Sequence, residues 1–419
     1  KSAKRGLSFF DDANTRQGSL SERSQLLGNP NGARDSLIEN GIYVDAAVTQ
    51  FLQGNLRGGE RDSPDPRANG STDLWLWLDT GKADLWSGGA LFSHYEANWG
   101  TSINGDVGSN LPANFDATMP RANNPPSAKR AELYYLQALP NNLLASFGKQ
   151  DMASWADTNL FADNVRTQFS YLGLVDNPID GVFFPYTGIG AWLDWAPSKE
   201  HNLVGVWSQS DAKAGQTGFD NLFNSDNSYA VQYVYSPTIA KKPGNYLIAA
   251  LYSTKDVTEF AIPRRQLLGE LVGALPVAEE SNNYGVIANF SQYLWVDHDA
   301  PMVSGMRPVG VGLFARAGWE PEDRNVIDQF YSFGIGGYGA LIPGRNSDNW
   351  GIGWAGSHIS DDLRQLMDTF RGWEHAFEVF YNFALTPAIH WTFNAQAIRP
   401  ADKTTDTAYT LGARLQLDF

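Results

Sequence analysis

The chain has 419 residues, a formal charge of −15 and no cysteine. That charge disfavours nucleic acid, whose phosphates want clustered Lys and Arg, and the lack of Cys excludes a disulfide framework and a thiolate metal site. With 14 Trp, 17 Tyr and 23 Phe the chain is aromatic-rich, yet no run approaches the roughly 18 apolar residues of a membrane-spanning helix, so any passage through a bilayer must be made by strands.

In chain order, the N-terminal KSAKRGLSFF lacks both a continuous apolar core and an initiating Met. It reads as a mature or truncated end from which any signal peptide has gone. Residues 31–40 (NGARDSLIEN) have helical spacing, with Gly41 as a C-cap. This predicts a short helix in an N-terminal segment, 1–40, at the periplasmic mouth, ahead of a single barrel domain, 41–419.

From Ile42 onward sixteen segments have strand character. They run Ile42 to Gln53, Thr72 to Asp79, Leu85 to Trp99, Arg130 to Leu139, Leu143 to Gln150, Ile189 to Ala196, Leu203 to Ser210 and Tyr229 to Ser236. Then come Tyr246 to Thr254, Tyr284 to Val296, Val309 to Trp319, Phe330 to Gly339, Trp350 to Ser357, Glu374 to Ala384, Ile389 to Ile398 and the terminal segment. In that last one Tyr409, Leu411, Ala413, Leu415, Leu417 and Phe419 share one parity, and Thr410, Gly412, Arg414, Gln416 and Asp418 the other. Successive strand side chains point to opposite faces, so one side is apolar and the other wet. The joins 100–127, 151–188, 212–227 and 255–283 are long and those between them mostly short, the polarity of an outer-membrane barrel. The join 297–308 is long where a short one is expected.

The fold class predicted is therefore all-β, a 16-stranded antiparallel transmembrane barrel with long inward-folded extracellular loops. The loop from Asp151 to Gly188 contains Leu160-Phe161 and Phe183-Phe184-Pro185-Tyr186, which burial would draw into the barrel. Lys149, Asp151, Asn164 and Arg166 would then stand near the narrowest point.

Enzyme motifs are weak. Gly334 to Gly339 matches G-x-G-x-x-G, but a Pro-Gly turn follows instead of a helix, so a tight strand or a closely approaching loop explains the glycines better than a cofactor. The six histidines are dispersed, and neither H-E-x-x-H nor G-x-S-x-G occurs. No catalytic residue, metal or cofactor is expected.

Parity nominates a lumen instead. If Leu74, Leu76 and Leu78 face lipid, Trp75 and Trp77 face inward, where aromatic faces beside polar groups suit sugars; a girdle, or packing beneath an inward loop, would account for them equally. Arg130, Glu132 and Tyr134, His94 and Glu96, Arg316, Glu374, Glu378 and Arg414 also point inward, since a charge facing mid-bilayer hydrocarbon costs a few kcal/mol. A subset should ring the constriction.

Gly32-Ala33-Arg34 with Leu37 and Gly41-Ile42, Phe147 to Asp151, Asp194 to Pro197, Phe377 to Pro387 and Leu415 to Phe419 resemble the bacterial carbohydrate-selective porins, the OprB family. The resemblance covers most of Gly28 to Phe419. It implies a 16-stranded barrel in the outer membrane of a Gram-negative bacterium and passive entry of monosaccharides, glucose most commonly, into the periplasm. It also implies an arginine-containing eyelet, which Arg130, Arg166, Arg316 and Arg414 would fit. The barrel would sit in bilayer and lipopolysaccharide as a monomer or homotrimer, delivered by the outer-membrane assembly machinery through the strand ending at Phe419. The alternatives are a general cation-preferring pore, consistent with the acidic charge, and a soluble lectin or outer-membrane enzyme.

Overall fold

The computed structural model describes residues 16–108, 114, 127–153, 157–213, 216–219, 222, 226–263, 266, 278–300 and 307–419, with backbone only at 63, 64 and 127–130. Sixteen long strands form the wall. They are β1 (Ile42–Gly59), β2 (Ser63–Asp79), β3 (Gly89–Gly100), β4 (Ser127–Leu139), β5 (Leu143–Gln150), β6 (Gly188–Trp195), β7 (His201–Gln209) and β8 (Asn227–Tyr235). The second half is β9 (Lys242–Ser253), β10 (Asn283–Val296), β11 (Gly310–Trp319), β12 (Ile327–Tyr338), β13 (Asn349–Ile359), β14 (Trp373–Thr386), β15 (Ile389–Arg399) and β16 (Asp406–Asp418). Each pairs antiparallel with its chain neighbour, and β1 also pairs with β16 from Ala47↔Asp418 to Gly59↔Asp406. The sixteen long strands thus close on themselves, and none of them is an edge strand.

Alternation explains which face is which. Along β16, Tyr409 and Leu411 are 49% and 52% exposed, whereas Thr410, Arg414 and Gln416 are buried. The outer wall carries Val231, Ile248, Val286, Phe333, Val379 and Phe393. Two aromatic belts bound it. One links Tyr229 with Tyr252 and Tyr284 with Trp319, and the other links His201, Tyr235, Tyr246 and Phe290. Tyr229 and Tyr235 sit on one strand about 20 Å apart at ~3.3 Å per residue, which a barrel strand's tilt of about 40° reduces to about 15 Å along the membrane normal.

Local chemistry moves several predicted boundaries. β3 starts at Gly89 rather than Leu85, because Asp79 Oδ1 accepts the Gly81 and Lys82 amides and Thr80 Oγ1 bonds the Trp86 carbonyl, holding 80–88 as a turn. β1 and β2 run past their apolar alternation to Gly59 and back from Ser63 because each supplies the other's ladder, Asn55 opposite Ser63. The helix, α1 (Ala33–Glu39), is shorter than 31–40, since Asn31 takes a left-handed conformation. Gly41 follows it at φ +80°, and the Arg34 guanidinium reaches the Phe419 carbonyl at 3.2 Å, fastening the segment beneath the terminal strand.

The closing seam needs glycine. β1 bulges between Asn55 and Gly59, Gly58 sits at φ +70°, and a Cβ there would strike the Thr407 carbonyl of β16. Gly58→Val is expected to destabilise the barrel by about 1–3 kcal/mol of backbone strain. A lower temperature of conversion from the folded to the unfolded band on detergent gels would show it; an unchanged temperature would mean that the seam tolerates a side chain there.

Candidate functional site: an inner loop and the wall it faces

The segment between β5 and β6, residues 151–187, turns into the barrel, and it is held there in two ways. Phe161, Phe169, Leu174, Ile179 and Phe183 are all fully buried. They rest where β11, β12 and β13 present glycine inward: a Cβ on Gly336 would come within 2.9 Å of Phe161, and one on Gly353 within 2.7 Å of Leu174. Within the G-x-G-x-x-G string it is Gly336 that makes room for the loop, while Gly334 makes room for the Phe314 ring of β11.

Charged anchors do the rest. Arg316 on β11 donates from Nη1 to the Leu174 carbonyl (3.0 Å), from Nη2 to those of Ala162 (2.6 Å) and Val175 (2.9 Å), and from Nε to Asp157 (2.6 Å). Arg414 on β16 donates to the Val165 and Gln168 carbonyls and to Ser170 Oγ. Glu378 on β14 accepts the Ser170 and Tyr171 amides, both at 2.8 Å, and is itself held by Asn394 and Gln396. Arg316 and Arg414 are only 3% and 2% exposed. Arg316 and Arg414, both named as eyelet candidates, lie beneath the loop here and secure it through its carbonyls, Asp157 and Ser170.

Across from the loop, β1 to β4 form a polar wall. The turn made by Asn164 Oδ1, which accepts the Arg166 and Thr167 amides, points Arg166 at this wall. Its guanidinium pairs with Asp73 at 2.8 Å, donates to Thr49 Oγ1 at 2.6 Å and lies 5.6 Å from the centre of the Trp75 ring. Trp75 stacks on His94, with centroids 5.3 Å apart. His94 Nε2 is 2.8 Å from Asp73 and Nδ1 3.3 Å from Glu132, whose other oxygen accepts the Asp151 amide. Arg166 and Glu132 keep 24% and 13% of their side-chain surface open. Loop and wall thus bring a guanidinium, an imidazole, two carboxylates and an indole into one ordered network, in which Arg166 and Glu132 keep open surface suited to exchanging hydrogen bonds with a polyhydroxylated solute.

The remaining expected residues lie around it. Trp77 packs on Phe92 (4.1 Å) and against the Tyr134 ring rather than beside Trp75 in the wall. Glu96 accepts the Tyr186 hydroxyl at 3.0 Å, Lys149 donates to the Gln216 carbonyl at 2.7 Å, and Asp151 caps the Ala153 amide. The Arg130 side chain lies outside the described residues. Asp73 shares the inward parity of Trp75, a signal that could have nominated it, whereas His94 is among the residues expected to point inward. Arg307 is a further participant: it comes from the unexpectedly long join after β10 and donates to the Leu160 carbonyl and the Tyr338 hydroxyl, 4.0 Å from Asp163.

The family described as "carbohydrate-selective porin, OprB family" matches residues 65–419. The chain belongs to it. This porin resides in the outer membrane of a Gram-negative bacterium and is a channel rather than an enzyme. Its fold is similar to the high-pH structure of Pseudomonas putida OprB, at TM-score 0.82 and 18% identity over 95% of this chain and 99% of that one. The low-pH structure of the same protein matches at TM-score 0.56 and 16% identity, again over 95% and 99%. The outer membrane channel DcaP of Acinetobacter baumannii matches at 0.51 and 10% identity, over 90% and 97%. A search of curated proteins finds no match.

Proposed function

We propose that this porin lets monosaccharides, glucose foremost, diffuse down their gradient into the periplasm through the gap between the inner loop and the β1–β4 wall. The observation carrying this reading is the Arg166–Asp73–His94–Glu132 network laid against the Trp75 ring. Hydroxyls of a sugar would exchange bonds with Arg166 and Glu132 while its apolar C–H face passes the indole. The β3–β4 ladder slips between His94↔Glu132 and Tyr95↔Arg130, so the parity that Arg130 shares with Glu132 along the chain is broken in the register, and Arg130 is left out of this lining. Permeation requires binding weak enough for release, so the affinity is expected to be no tighter than about 1 mM, near −4 kcal/mol.

Trp75→Ala should slow glucose entry into proteoliposomes about fivefold, the equivalent of roughly 1 kcal/mol, and glucose should block the ion current of the wild type but not of the variant. A wild-type current indifferent to glucose would favour the cation-pore reading, to which the acidic groups Asp73, Glu96 and Glu132 also lend themselves. The strand ending at Phe419, whose amide bonds Ala46 at the seam, we assign as the assembly signal.

A further inference from the structure

We propose that Asp157, Asp176 and Asp180 of the inner loop bind one divalent cation, Ca²⁺ by the chemistry of the donors, which cross-links the loop to itself. One carboxylate oxygen from each lies within 4.8 Å of the others, and no His or Cys joins them. An all-oxygen donor set suits a hard cation.

Asp180 gives the second, separate reason. It is 0% exposed, and both its oxygens are buried without a hydrogen-bond partner. A buried carboxylate left in that state is strongly unfavourable unless a charge meets it. The nearest cationic side chain, Arg316, is already committed to Asp157 and to three carbonyls. Three carboxylates facing one guanidinium leave two negative charges over, which a divalent ion matches. Asp157 is further oriented by Asn289 Nδ2, and Asp176, half-buried, leaves a side on which the ion can keep water.

The test is calorimetric titration of CaCl₂, and separately MgCl₂, into the full-length porin in detergent after chelator treatment, in enough KCl to screen the acidic surface. One saturable Ca²⁺ site per chain is expected, tighter for Ca²⁺ than Mg²⁺ and weakened at least tenfold in Asp180→Asn. Asp176→Asn, a change at a half-exposed position, is the second variant should Asp180→Asn fail to give the heat-modifiable folded band, and the same tenfold loss is expected of it. Absence of saturable Ca²⁺ binding in the wild type, or unchanged binding in the folded variants, overturns the proposal in favour of carboxyls sharing protons.

Discussion

Arg316→Met is expected to free the inner loop while leaving the barrel standing, so that single-channel conductance rises and the loop becomes a protease target. Met keeps the aliphatic stem but removes the donors that reach Asp157, Ala162, Leu174 and Val175. Removing one partner of a buried pair costs about 3–5 kcal/mol, because the other charge stays buried and uncompensated. The three carbonyls add to this without being simply additive. The wall does not share the loss: β11 keeps full ladders to β10 and β12. The measurement is planar-bilayer conductance beside chymotrypsin digestion, with chelator present so that a cation bridging the loop carboxylates does not stiffen the loop and mask its release. If conductance and digestion match the wild type, the Phe161, Phe169 and Leu174 contacts hold the loop by themselves.

Arg166→Ala is expected to make the pore more cation-selective and to slow glucose together. Arg166 meets Asp73, which is 1% exposed, at 2.8 Å, and Glu96 and Glu132 lie on the same wall. Two unit charges ~4 Å apart at an effective dielectric near 20 interact by about 4 kcal/mol, enough for one missing cation to reset the local potential. Under a KCl gradient the reversal potential should move towards the K⁺ equilibrium value. Arg166→Lys separates charge from geometry: it should restore ion selectivity, yet only part of glucose flux, because an ammonium is a point charge and cannot present the planar fork. A reversal potential unmoved by Arg166→Ala would show that Arg166 lies off the ion path.

The strand count, the closed barrel and the folding-in of the long loop were all legible in the residues, whereas the partners of individual inward charges were not. Arg316, Arg414, Arg166 and Glu132 share one inward parity or loop neighbourhood in the chain, yet the first two are sealed under the loop and the latter two face the wall network. Nothing local separates them, since Arg316 meets Leu174 across 142 residues and Arg414 meets Val165 across 249. The long join before β11 hid Arg307 for the same reason: its length was visible, but its bond to Tyr338 was not.

Period-two alternation is a property of neighbours along one strand, and a slip of a single residue would turn every apolar side chain inward. The sequence by itself therefore determined the barrel, its lipid face and its wet face. Where the inner loop comes to rest, which arginines it uses as anchors, and that Asp73, His94 and Trp75 meet Arg166, were decided only by the closed tertiary structure, because those contacts join segments far apart in the chain.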